Sequence, residues 1–143
     1  MIDLPIRAAA PPVSESETPP VPRDSRILVV DDEEHVAQVL GDLLEELGAR
    51  VEITHSARAA RGLLARERFD LITLDVIMPG ESGVDLWREL HAEDPSMAAR
   101  VVFVTGNVDP SIQAAVDSTG RPVLAKPYTF KALRTLVANE LHR

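Results

Sequence analysis

Five short apolar runs, each followed by a stretch with helical spacing, restrict most tightly the folds open to this 143-residue chain. The first, Ile27-Leu28-Val29-Val30, is continuous and rich in β-branched residues, as expected of a strand buried on both faces. Val36, Val39, Leu40, Leu43, Leu44 and Leu47 then recur at i, i+3, i+4, i+7, which predicts a helix with these side chains inward and Gly48 as its stop. A weaker strand over Arg50 to Thr54 precedes a helix opened by Ser56, with Ala60, Leu63 and Leu64 inward. Leu71 to Leu74 forms the third strand, and Ser82 with Asp85 reads as a capping pair for a helix through Leu86, Trp87 and Leu90. Val101 to Val104 is the fourth strand, and Asp109-Pro110 opens a short helix. Val123 to Ala125 is the fifth strand, and Thr129 caps a last helix with Phe130, Leu133 and Val137 inward. Five βα units in strict alternation imply a parallel sheet with helices on both faces, since each crossover must return along one side of it. The fold class is a doubly wound α/β sandwich.

Length and composition agree with one such domain. Aromatic residues make up only 3 % of the chain, so Val, Leu, Ile and Ala must build the core. Six of the eleven prolines fall in the first 25 residues, among Ala, Ser, Glu and Thr that bury too little apolar area to offset the entropy of ordering. Residues 1–25 are therefore expected to be a disordered Pro-rich linker, and 26–143 the folded domain. Without those 25 residues the domain keeps 19 acidic and 13 basic side chains, an unfavourable balance for binding a polyanion. Nucleic acid is not expected as a ligand. The chain has no cysteine, which excludes disulfide scaffolds, thiolate zinc sites and cysteine nucleophiles. No apolar run approaches the ~18 residues of a membrane span, and Asp3, Pro5 and Arg7 stand where a signal peptide would be apolar. A cytoplasmic protein without membrane contact is the expectation.

The residues that end the strands carry the functional information. The first strand runs into Asp31-Asp32, the third into Asp75, the fourth into Thr105 and the fifth into Lys126. In an open parallel sheet the carboxyl ends of the strands share one edge, and ligands bind there where the strand order reverses. Residues 95 positions apart would thus meet in one cleft. Three carboxylates repel one another more than one Lys can offset. A hard divalent cation such as Mg²⁺, which takes one or two carboxylates plus waters and a phosphate oxygen, can balance them. Lys126 and Thr105 offer a point charge and a hydroxyl to a phosphoryl group, and a carboxylate is available as nucleophile. Taken singly, an acid at a strand end is as readily a helix cap. Agreement at four strand ends favours the site.

Val29-Val30-Asp31-Asp32-Glu33-Glu34, Leu74-Asp75-Val76-Ile77-Met78-Pro79-Gly80, Val104-Thr105-Gly106 and Lys126-Pro127-Tyr128 together resemble the signature of bacterial response-regulator receiver domains, in order, over about residues 25–143. The resemblance implies a flavodoxin-like sheet of order 2-1-3-4-5 and phosphoryl transfer from a phosphohistidine, donated by a histidine kinase or phosphotransfer domain, in a two-component phosphorelay. It implies that Asp75 is the phosphoacceptor. Mg²⁺ would be held by Asp32 directly, by Asp31 mainly through water, by Asp75, and by the main-chain carbonyl of Ile77. Thr105 would hydrogen-bond the phosphoryl group, Lys126 would pair with it, and a cis bond would precede Pro127. The chain would not be an enzyme in its own right, beyond Mg²⁺-dependent self-phosphorylation and dephosphorylation, and would be a monomer. Ile2-Asp3-Leu4-Pro5-Ile6 and the Pro-rich stretch after it resemble the last strand and linker of a histidine-kinase ATP-binding domain. A receiver belonging to a longer hybrid histidine kinase is the corresponding expectation, with a stand-alone regulator as the alternative.

Two positions depart from the family pattern. Val123 stands where receivers often carry a Tyr or Phe switch coupled to the threonine, and Tyr128 stands where Phe is common and reads as packing. In receivers the residues two after the aspartate and two after the threonine, here Ile77 and Asn107, flank the approach of hydrolytic water. His35, His55, His91 and His142 share no metal-like spacing and read as surface or boundary residues, and Trp87 reads as packing. Three other functions fit less well. A haloacid-dehalogenase-type phosphohydrolase needs an Asp-x-Asp-x-Thr pattern on its first strand. A nucleotide or flavin binder needs glycines where four acids stand. A degenerate docking receiver would not need the full acidic and Lys set.

Overall fold

The computed structural model describes residues 20–106 and 108–142. The resemblance of Ile2 to Ile6 to a kinase strand, most of the linker expected over 1–25, and Asn107 lie outside the described residues. Five strands, β1 (Arg26–Val30), β2 (Arg50–Thr54), β3 (Leu71–Asp75), β4 (Val101–Thr105) and β5 (Val123–Ala125), form one parallel sheet in the order β2-β1-β3-β4-β5. The helices are α1 (Glu34–Glu46), α2 (Ala57–Leu64), α3 (Gly83–Glu93), α4 (Pro95–Ala98), α5 (Pro110–Asp117) and α6 (Phe130–Leu141). This is the doubly wound α/β architecture expected from the alternation, with the strand order implied by the family resemblance.

Alternation along each strand divides the core in two. Leu28, Val30, Ile72, Leu74, Val101 and Phe103 point to one face, where Ala60 and Leu63 of α2, Leu86 of α3, Met97 of α4 and Val116 of α5 meet them. Ile27, Val29, Leu71, Val102, Val104 and Leu124 point to the other, under α1 and α6. Burial on both faces is why these strands read as continuous apolar runs.

Local signals set the helix boundaries. Ser56, Ser82, Asp109 and Thr129 each accept a hydrogen bond from the main-chain N–H three residues on, satisfying one of the donors a helix start leaves open. Gly48, at φ +99°, ends α1 in a conformation that costs a β-carbon-bearing residue strain.

The structure departs from the sequence reading at three places. The buried stripe of α1 is Ala37, Leu40, Gly41 and Leu44, and Val39 is 44 % exposed. A β-carbon at Gly41 would lie 3.0 Å from Ile53 Cδ1, so α1 seats its small residues on β2 and turns Val39 outward. Phe130, expected inward, is the first residue of α6, one turn ahead of buried Leu133, and is exposed. The short α4 was not anticipated, although Asp94-Pro95 starts it as Asp109-Pro110 starts α5, with Asp94 accepting from Met97 N–H.

Candidate functional site

Sheet register brings the strand ends to one level. Val30 is level with both Thr54 and Leu74, Asp75 with Val104, and Thr105 with Ala125. Asp31, Asp75, Thr105 and Lys126 therefore lie at or one step past the carboxyl edge. Asp31-Asp32 and Asp75 flank the β1/β3 boundary, from which the chain winds outward in both directions.

The acids converge. Asp31, Asp32 and Asp75 each offer a carboxylate oxygen within 4.8 Å of the other two. Asp31 and Asp75 are buried and Asp32 is half-buried. Lys126 Nζ stands 3.8 Å from Asp31 Oδ2 and 4.0 Å from Asp75 Oδ1, nearly equidistant from the two carboxylates. Its main-chain N–H donates to Thr105 O over 2.7 Å, which ties the Lys126 backbone to the end of β4. The Lys126-Pro127 bond is cis.

Burial pushes the Asp75 carboxyl up to about 7, and the neighbouring Asp31 charge adds to the rise. Lys126 and hydrogen bonding to the main chain at Ile77 pull the other way without cancelling it. A buried carboxyl raised this far, among like charges, lacks positive charge. Three hard oxygen donors at this spacing suit Mg²⁺, and softer metals would want imidazole or thiolate.

The other expected site residues have distinct settings. Thr105 is buried, with its hydroxyl directed to Gly106 O at 3.3 Å. Ile77, two residues past Asp75, is 51 % exposed. Val123 borders an apolar groove with Tyr128, Ala132 and Leu136 of the α6 side. Tyr128 packs, half-buried, on the α1/α6 core, and its hydroxyl pKa is raised by that burial and by the charge of Asp31. The four histidines are exposed, and Trp87 packs with its Nε1–H donating to Ala98 O.

Three residues that the sequence reading did not assign to the site shape it. Gly83 lies against Asp75, and its N–H donates to Val76 O over 2.9 Å. Its signal was a glycine directly after the capping Ser82. Arg61 on α2 ties down the β3–α3 loop, with Nη2 2.5 Å from Glu81 Oε2 and Nε paired to Glu89. His55, although exposed, places Nδ1 3.0 Å from the main-chain oxygen of Asp31. Sequence spacing held no signal for the last two, since both contacts arise from packing between elements.

Residues 27–138 match the family model described as the response regulator receiver domain. The chain is 33 % identical over 116 residues to the response regulator protein PilR of Pseudomonas aeruginosa, covering 81 % of this chain and 26 % of that protein. It is 35 % identical over 118 residues to the sensory/regulatory protein RpfC of Xanthomonas campestris pv. campestris, covering 80 % of this chain and 16 % of RpfC. Among solved structures, the signal receiver domain of a signal transduction histidine kinase from Syntrophus aciditrophicus superposes with a TM-score of 0.76 at 31 % identity. That match covers 82 % of this chain and 90 % of the other. The chain thus spans about a quarter of PilR and less of RpfC. Among the described residues no helix is long and apolar enough to cross a membrane.

Proposed function

The chain belongs to the response regulator receiver domain family, and from that premise we propose that it accepts a phosphoryl group from phosphohistidine on Asp75. The observation that carries this reading is the setting of Asp75: a buried carboxylate beside two more, with the Lys126 ammonium 4.0 Å away. An Asp75 oxygen attacks phosphorus, the P–N bond to the donor imidazole breaks, and its electron pair leaves on the ring nitrogen. The product is an acyl phosphate. Lys126 pairs with the phosphoryl oxygens, and the Thr105 hydroxyl turns from Gly106 O to donate to one of them. Asp31, Asp32, Asp75 and the main-chain carbonyl of Ile77 would hold Mg²⁺, which supplies charge neutralisation during the transfer.

The folded unit is taken as 26–143, with 1–25 as linker. Residues 20–25 already touch the domain, with Asp24 N–H donating to Gly48 O and Ser25 buried. The partner is a histidine kinase or phosphotransfer domain, and the acidic surface gives no footing to nucleic acid. Signalling follows as a local rearrangement around Thr105, since Val123 at χ1 is too stiff and short to sweep as an aromatic switch would.

Intact-protein mass spectrometry with acetyl phosphate and Mg²⁺ tests the reading. One phosphoryl adduct is expected, and it should vanish in Asp75→Ala and in EDTA. An adduct that persists in Asp75→Ala overturns the assignment.

A further inference from the structure

Asp32 presents its carboxylate to the cluster with no hydrogen bond or salt bridge to hold it among the described residues. Its direction is therefore inherited from the main chain, and chiefly from the peptide that joins it to Asp31. That peptide is planar, so whatever fixes its carbonyl also fixes the N–H and Cα of Asp32.

Asp31 is fastened at three points. Its N–H donates to Thr54 O over 3.1 Å, continuing the β1–β2 ladder by one bond. Its Oδ1 accepts from Glu33 N–H at 3.0 Å. Beyond Thr54 the strands part, and the main-chain carbonyl of buried Asp31 meets the His55 ring at 3.0 Å. A side chain here replaces the next rung of the sheet.

We propose that His55 is a positioning residue for the acidic pair: its Nδ1–H holds the Asp31-Asp32 peptide and so aims the Asp32 carboxylate at the metal position. The inference rests on the reading of the cluster as a Mg²⁺ site. A carbonyl oxygen only accepts, so the ring must carry a proton on Nδ1 whether it is neutral or cationic. In the neutral ring this selects the Nδ1–H tautomer. The contact also defines which replacement preserves it. Asn bears its amide nitrogen on Cγ, where His bears Nδ1, whereas Gln carries its amide one bond further out.

The test joins a spectroscopic and a binding measurement on the full chain. Long-range ¹H–¹⁵N NMR of the neutral ring should show the His55 proton on Nδ1. Removing the partner behind a metal ligand should weaken Mg²⁺ binding about tenfold in His55→Ala and His55→Gln, with His55→Asn within about twofold of wild type. Calorimetric titration reads the affinities, and thermal melting in EDTA identifies any variant that has lost its fold. A proton on Nε2 overturns the proposal, as does wild-type affinity in a folded His55→Ala, or equal losses in Asn and Gln. If wild type binds Mg²⁺ and His55→Ala binds it as well, the positioning role alone fails. If wild type binds none while Nδ1 carries the proton, the reading of the metal site fails and the aiming role falls with it.

Discussion

A β-carbon placed on Gly83 would sit 2.2 Å from the main-chain oxygen of Asp75. The obstacle is backbone in a strand buried along its whole length, so neither side can give way cheaply. Gly83→Ala should cost about 1–3 kcal/mol, as overpacking does in a filled core, and should pull Asp75 off the cluster. Urea melting gives the first effect and Mg²⁺-dependent phosphorylation the second. A variant within about 0.5 kcal/mol of wild type would show that α3 can slide along the sheet.

In metal-free protein the contribution of Asp75 to stability should fall as pH rises from about 4 to about 7. Asp75 is raised from 3.8 to about 7 in the folded state, so between those values the fold holds a proton that the unfolded chain has released. Its contribution is complete below the unfolded pKa and is gone above the folded one. Asp75→Asn removes the ionisation, and in EDTA at about pH 8 it should be more stable than wild type, while at about pH 4 the difference should shrink. Parallel urea curves at the two pH values decide it. Equal stabilities at the higher pH would mean that the Asp75 charge is already well solvated.

Adding Mg²⁺ should have the opposite effect from raising pH. A ligand that binds only the folded state at a hundred times its Kd stabilises by about 2.7 kcal/mol, a shift of about ten degrees for a domain of this size. Asp32→Asn removes one of the three converging carboxylates and should abolish most of that shift while leaving melting in EDTA little changed. A full Mg²⁺ shift in Asp32→Asn would place the ion elsewhere.

Ile77 offers solvent an aliphatic surface two residues beyond Asp75. It can neither orient nor activate water, so Ile77→Asn should shorten the life of the acyl phosphate. One added hydrogen bond to the attacking water, at about 1 kcal/mol, corresponds to roughly a fivefold rate. Decay of phosphoprotein with Mg²⁺ present measures it, and unchanged decay would show that Ile77 does not guard the site.

Most of the sheet was legible because strands covered on both sides leave uninterrupted apolar runs, and the cluster because four of the five strands end in a residue that does not belong in a core. Asp75 after Leu74 and Lys126 after Ala125 are such breaks. The face of α1 was harder to read. Leu40, Leu43, Leu44 and Leu47 do turn to the core, but Val39 fits the same helical spacing and is exposed, while Ala37 and Gly41 take the close approach to β2. Counting large apolar residues misses packing through small ones. His55 escaped for a different reason: its partner is a backbone oxygen 24 residues away, which no side-chain pattern records.

The order in which the strand ends arrive has a consequence for synthesis. The ribosome delivers Asp31 and Asp32 first, then Asp75, and the ammonium beside Asp31 and Asp75 comes only with Lys126, at the far side of a three-residue strand. A nascent chain that has emerged through β4 can pair four strands, yet it holds its acids together without that lysine. Adding β5 at the edge both completes the sheet and delivers the missing charge, so the cluster gains its lysine only with the last strand of the sheet.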